Sequence, residues 1–271
     1  MVRCFTACCV ILLILLVTGS GCLSDPSAGK KPPADTATLN PQKTSAGEGV
    51  VVSDPVSSTG TRNSTGDLAA VRSNNPIWDE AYRMFRNIRA TEYVHPPYTS
   101  DDATGDYRFD CLGFVDHVLM NADMPSYRAI GKNLNPSIGS YSAYFTRLDS
   151  NTPNALGWTR VPRPVDLRPG DICLWLKPST LDTGHMWIIA GEPEINPKRG
   201  NEVMVRIFDS TGTAHSSDTR TGSPFRTGLG SGILGYMVDN TGNPVGLYWE
   251  GGESTGAGEK DTTIVCGRLN R

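Results

Sequence analysis

One cysteine and one histidine in this chain are placed so that together they could do chemistry. Cys111 lies in "YRFDCLGFVDHVL", residues 107–119, at what reads as the first turn of a helix. A helix N-terminus stabilises a thiolate through unsatisfied backbone N–H groups and the helix dipole. Asp110 is a plausible N-cap, and Gly113 leaves room for close approach. A nearby imidazole would take the thiol proton and return it to a leaving amine. A third polar side chain would fix the imidazole's tautomer and orientation. On the helix alone, Cys111 reads equally well as a small core residue.

The chain has four histidines. His95 sits in a Pro-flanked loop. His117 is on the helix of Cys111 but faces another way, about 9 Å further along its axis, so it is excluded as a partner. His215 sits in the polar loop "STGTAHSSDTR", which is expected to be solvated with its Asp218 and Arg220. His185 begins the apolar run "HMWIIAG" directly after Gly184. A side chain at a strand mouth can face a neighbouring helix end, so His185 is the expected base.

The elements that must position these groups follow from periodicity. In "PIWDEAYRMFRNIRAT", Trp78, Ala81, Tyr82, Phe85 and Ile88 share one helical face. A loop over 92–109 leads to the cysteine helix, with Cys111, Val115, Val118, Leu119 and Ala122 on one face and Asp116 and Asn121 elsewhere. Asp123 and Pro125 are expected to end it. A short helix is expected around Tyr141–Leu148. From Trp158 the pattern turns to strands: "LRPGDICLWLK", "GHMWIIAG", "EVMVRIFDS", two strands about an Asn/Gly/Pro turn in "GILGYMVDNTGNPVGLYWEGG", and "TTIVCGRL". Helices followed by sequential strands argue an α+β domain with a mainly antiparallel sheet.

The blocks "FDCLGFVDHVL", "LRPGDICLW" and "GHMWIIAG" together resemble the NlpC-type cell-wall cysteine peptidases of the papain-like superfamily. They occur in that order over most of Tyr107–Gly191. The resemblance implies an α+β, papain-like NlpC-type fold, with N-terminal helices packed on a mainly antiparallel sheet. It also implies a nucleophile at Cys111, a base at His185 and an oxyanion donor in the main-chain N–H of Cys111. The family's third residue is a polar side chain on the next strand, commonly His, Asn or Gln. "VRIFDST" puts Asp209 there, with His215 as the alternative. Tyr107 matches a family tyrosine that shapes the site, and Leu112 stands where the family usually has Ser. Tyr107, Leu112, Gly184 and His215 are therefore the expected substrate contacts. The implied activity is hydrolysis of peptide amide bonds in peptidoglycan stems through an acyl-enzyme, by a monomer, with no cofactor. A metal site from Cys111, His185 and His215 lacks paired ligand spacing, so none is expected. Two other readings stay open: a non-catalytic cell-wall-binding module on this scaffold, or an amidase or acyltransferase with another substrate.

The rest of the chain bears on location. The N-terminus, "MVRCFTACCVILLILLVTGSGC", has a basic start at Arg3, an apolar core from Phe5 to Val17 and small residues up to Cys22. It reads as a signal peptide over 1–22. Gly21-Cys22 resembles a bacterial lipobox, which implies lipidation of Cys22 and an exported, membrane-anchored lipoprotein, although Gly19 departs from that pattern. Residues 23–75 are rich in Ser, Thr, Pro and Gly and read as a disordered tether reaching roughly 40 Å. Residues 76–271 form the expected catalytic domain, closing on a C-terminal β-hairpin extension. Outside the signal only Cys111, Cys173 and Cys266 remain, so one Cys173–Cys266 disulfide would leave a single thiol. A net charge of −3 over 271 residues gives no support to nucleic-acid binding.

Overall fold

The computed structural model describes residues 74–131, 135–177, 184–253, 258–260 and 262–271. The expected signal peptide, the lipidation site Cys22 and nearly all of the tether lie outside these residues.

The chain opens with α1 (Pro76–Asn87). Asn75 caps it by accepting from the N–H of Ile77, and Pro76 supplies a pre-set φ at the first position. Its buried face is Ile77, Trp78, Ala81 and Met84. The Trp78 indole donates to the carbonyl of Ala190 at 2.9 Å. The loop expected over 92–109 holds a small sheet instead: β1 (Ala90–Tyr93), β2 (Thr99–Asp101) and β3 (Asp106–Phe109), ordered β1-β3-β2. β1 and β2 are too short, and β2 too polar, to show a period of two, whereas the four residues of β3 do alternate, with Tyr107 and Phe109 buried.

The cysteine helix, α2 (Cys111–Ile130), does not stop at Pro125. Proline removes one backbone donor and crowds the preceding turn. The chain absorbs this at Asp123 (φ −157°, ψ 78°) and then resumes helical geometry. The Asp123 carboxylate accepts from Ser126 Oγ and from Arg271, both at 2.6 Å, which supports the kink. Next comes α3 (Ile138–Thr146), which starts a turn earlier than expected behind a Ser137/Ser140 capping box.

The strands build a nine-stranded sheet among the described residues, antiparallel at every pairing. In chain order they are β4 (Trp158–Arg160), β5 (Ile172–Leu176), β6 (Gly184–Ile189), β7 (Glu194–Ile195), β8 (Glu202–Thr211), β9 (Gly228–Val238), β10 (Pro244–Tyr248), β11 (Gly258–Lys260) and β12 (Thr263–Leu269). Their order across the sheet is β11-β10-β9-β8-β6-β5-β12-β4, with β7 paired to β8. The architecture is therefore α+β with an antiparallel sheet, as the sequence pattern implied.

Two cores lie on opposite faces of this sheet. Met186, Ile188, Ala190 and Phe208 pack with the helices. Trp187, Ile189, Val205 and Ile207 pack with Leu234, Tyr236 and Leu247. The alternation along β6 and β8 follows from the two-residue period of a strand. Cys173 and Cys266 sit directly opposite one another in β5 and β12 and form a disulfide inside the second core.

Asp116, expected away from the packed face, is buried in the first core region. Its carboxylate accepts from Tyr141 Oη at 2.6 Å, tying α2 to α3. Burial raises its pKa to about 7; the Tyr141 hydrogen bond opposes this and the charge of Asp110 adds to it. An unfolded Asp ionises near 4, so the folded state is penalised increasingly between about pH 4 and 7. Asp116→Asn keeps an acceptor for Tyr141 without the charge. It is expected to be more stable than wild type at pH 8, by up to roughly 4 kcal/mol, and to converge with it near pH 4, as measured by urea denaturation.

Candidate active site

Cys111 occupies the first position of α2 and is the free cysteine of the described residues, 5% exposed. Asp110 makes this helix start. Its Oδ1 accepts from the N–H of Gly113 at 2.8 Å, and its backbone carbonyl accepts from the N–H of Phe114. The residue just before, Phe109, is fixed from two directions. Its carbonyl accepts from Ser210 Oγ of β8 at 2.7 Å and from the N–H of Val94 at 3.1 Å. The start of the Cys111 helix is thus pinned to the strand that also carries Asp209.

His185 is the second residue of β6, with its ring 5.8 Å from that of Trp187. β6 and β8 pair at Ile188↔Phe208 and Ile189↔Ile207, and beyond these pairs the side chains of His185 and Asp209 meet. His185 Nε2 meets Asp209 Oδ2 at 2.7 Å, and the ring lies close enough to Cys111 for the sulfur to act on its proton affinity. An ionised carboxylate only accepts, so Nε2 donates and Nδ1 is left to face the sulfur. Thiol, imidazole and carboxylate therefore form one chain of contacts.

The electrostatics match that order. Burial alone would lower the pKa of His185. The charge of Cys111 and the hydrogen bonds from Asp209 and Cys111 outweigh it and raise the value to about 9. For Asp209, burial alone would favour the neutral acid. The charges of Arg220 and His215, with the hydrogen bonds of both imidazoles, hold it well below the usual carboxylate range.

Asp209 lies inside β8, so it is not a turn residue. His215, Asp218 and Arg220 are buried, at 5%, 7% and 3% exposure, and not in a solvated loop. Polar side chains can leave water when they satisfy one another, and these do. His215 Nε2 reaches Asp209 Oδ2 at 2.8 Å, and Arg220 donates to Asp209 Oδ1 at 2.9 Å and to Asp218. Composition alone could not distinguish this loop from a hydrated one.

Tyr107 does not line the site. Its hydroxyl is engaged by Asp102 at 2.7 Å and Asn87 at 3.0 Å, which places it under α1. Two other tyrosines stand near the thiol. Tyr98 lies against Gly113, where a Cβ would come within 2.6 Å of the ring, and burial together with the neighbouring Asp110 raises its pKa. Burial raises the pKa of Tyr93 to about 12, and the charge of nearby Cys111 adds to it. Their position depends on the β1–β2 connection folding back over the helix start. Leu112 is partly buried against the first core. Gly184 starts β6 so close to the carbonyl of Trp175 that a Cβ would overlap it. His117 hydrogen-bonds Ser100 and Asn121, away from Cys111.

The ligand-type atoms of His185, Asp209 and His215 lie within 4.8 Å of one another, a spacing that could hold a metal ion. Both Nε2 atoms are already directed at Oδ2, however, and the Arg220 guanidinium lies 2.9 Å from the same carboxylate. That fixed positive charge opposes a cation here, and hydrogen bonding accounts for the arrangement.

Family models, curated proteins and solved structures were all compared with the chain, and none matches it. The reading of the site therefore rests on its own geometry.

Asp209→Asn removes the charge that supports the His185 imidazolium. The inflection near pH 9 in the alkylation rate of Cys111 is expected to fall towards the ordinary imidazole range, read by peptide mass spectrometry. EDTA is expected to leave the wild-type profile unchanged.

Proposed function

We propose that the protein is an exported thiol hydrolase cleaving peptide amide bonds through Cys111, His185 and Asp209. The observation that carries this reading is a free thiol at a helix N-terminus beside a buried imidazole that donates to a buried, ionised carboxylate. Buried groups of these three types in this order are what nucleophilic acyl transfer requires.

In the proposed reaction, the Cys111 proton passes to His185 Nδ1 and the sulfur attacks the amide carbonyl. The carbonyl electron pair moves onto oxygen. The main-chain N–H of Cys111, in the first turn of the helix, would receive that charge. When the pair returns, the C–N bond breaks and the amine leaves with the proton from His185. The acyl-enzyme then reacts with water, which gives one proton to His185. Collapse of the second intermediate releases the acid, and the sulfur regains the proton. Throughout, Asp209 supports the imidazolium and holds its ring.

The substrate class rests on the sequence resemblance. The blocks around Cys111, Gly170-Asp171 and His185 resemble the NlpC-type cell-wall peptidases, for which the bond would be in a peptidoglycan stem peptide. We extend the proposal to that class, to a papain-like NlpC-type fold and to action as a monomer. The paired Cys173 and Cys266 support export, because disulfides persist in oxidising compartments. The signal-like N-terminus and Cys22 fit the same location, at the cell envelope.

Cys111→Ala is expected to reduce hydrolysis of purified muropeptides by at least about 10³-fold, assayed by chromatographic separation of the products. Full retained hydrolysis would remove Cys111 from the reaction. Undiminished binding of Cys111→Ala to sacculi, with no turnover by wild type on a panel of peptides, amides and esters, would instead identify a binding module.

A further inference from the structure

Asp209 is shared. The same oxygen, Oδ2, meets His185 Nε2 at 2.7 Å and His215 Nε2 at 2.8 Å. The second imidazole comes from the connection between β8 and β9, residues 212–227, which is held closely against the sheet. Arg220 donates to Asp209 Oδ1 at 2.9 Å, to Asp218 and to the carbonyl of Gly228 at 2.7 Å. Asp218 Oδ2 accepts from the N–H of His215 at 2.8 Å, around a left-handed residue at Ser217 (φ 48°). β9 makes room for this connection with glycine. A Cβ at Gly232 would lie 2.6 Å from the Cβ of His215, and one at Gly230 would lie 2.8 Å from Arg220 Nε. Trp249 covers the pair, its ring 4.2 Å from His215 and 5.0 Å from His185.

The partners of His215 leave its ring little choice. Nδ1 faces the carbonyl oxygen of Trp249 at 2.9 Å, and Nε2 faces Asp209 Oδ2. A backbone carbonyl cannot donate, and an ionised carboxylate cannot donate either. Both contacts are therefore satisfied as hydrogen bonds only when both ring nitrogens donate, that is, when the ring is an imidazolium. The cluster then sets a cation on each side of one carboxylate oxygen whenever His185 is also protonated. The two rings lie 6.3 Å apart, centroid to centroid, and both residues are buried.

We propose that His215 is a positioning residue that acts through Asp209. It holds the carboxylate towards His185, and its charge limits how strongly that carboxylate retains the His185 proton. This inference rests on the reading of Cys111 and His185 as a thiol–imidazole pair. A proton acceptor bound too tightly to its proton is a poor acid for the leaving amine. A second cation on the same oxygen weakens that hold without loosening the ring. The pair is thereby tuned by a loop that supplies no atom to the substrate.

The test uses the full chain and no substrate. Wild type, His215→Gln and His215→Ala are alkylated with iodoacetamide from pH 4 to 11, and Cys111 modification is followed by peptide mass spectrometry. The same titration is read without reagent from the ring 15N shifts of His185. In wild type, alkylation is expected to show, besides the ionisation of the thiol itself, a second step near pH 9, where the His185 proton is lost. Removing the His215 cation is expected to move that second step upward by about one pH unit in both variants. His215→Gln, which retains a donor towards Asp209, is expected to keep more of the wild-type plateau rate than His215→Ala. A residue with a purely structural role would leave the step in place or lower it, and either result overturns the inference. Should both variants fail to fold, the wild-type ring of His215 decides: two N–H signals at neutral pH support the inference and one overturns it. A single ordinary thiol titration in wild type would overturn the pair and this inference together. A normal wild-type pair with an unmoved step would overturn only the role of His215.

Discussion

The carboxylate of Asp209 is the constraint around which the site is arranged. It has no exposed surface, and an unpaired charge at such a position would be too costly to keep. Its two oxygens are met by two imidazoles and one guanidinium, drawn from β6 and from the β8–β9 connection. Each of those groups has its own further anchor. His185 reaches the thiol, His215 reaches the carbonyl of Trp249, and Arg220 reaches Asp218 and Gly228. Removing one member would leave the remaining buried charges with fewer of the partners that offset their burial. For this reason the cluster acts as a unit and not as a set of independent contacts.

The fold serves this cluster by bringing a helix N-terminus and two strands to one place. Ser210, next to Asp209 on β8, holds the carbonyl of Phe109, two residues before the thiol. Adjacent residues of one strand therefore fix the carboxylate and the helix start together. Strand alternation sends their side chains in opposite directions, one towards the inner core and one towards the helices. The arrangement needs β8 to be buried on both faces, and from Ile207 to Thr211 it is.

Much of this was legible in the residues themselves. The strand periods of "GHMWIIAG" and "EVMVRIFDS", the cap at Asp110 and the exclusion of His117 depend on local geometry, and the structure places each as expected. Local geometry also misled in two places. Pro125 predicts a helix end, but tertiary packing of Tyr127 and Ile130 rewards a kink with continuation. Tyr107 lies next to the cysteine block in sequence, but its hydroxyl is drawn off to Asp102 and Asn87. The tyrosines that do stand near the thiol, Tyr93 and Tyr98, come from segments without a readable period.

The sequence by itself offered a thiol at a helix start and an imidazole at a strand mouth, both from chemistry and spacing within a few residues, and the family resemblance added an acid on a following strand. Only the tertiary structure decided that His215, Asp218 and Arg220 are buried partners of the acid and not a hydrated loop. A polar segment looks the same in sequence whether water or other side chains satisfy it. The choice depends on partners distant in the chain, such as the carbonyl of Trp249 and the glycines of β9, that fold up against it.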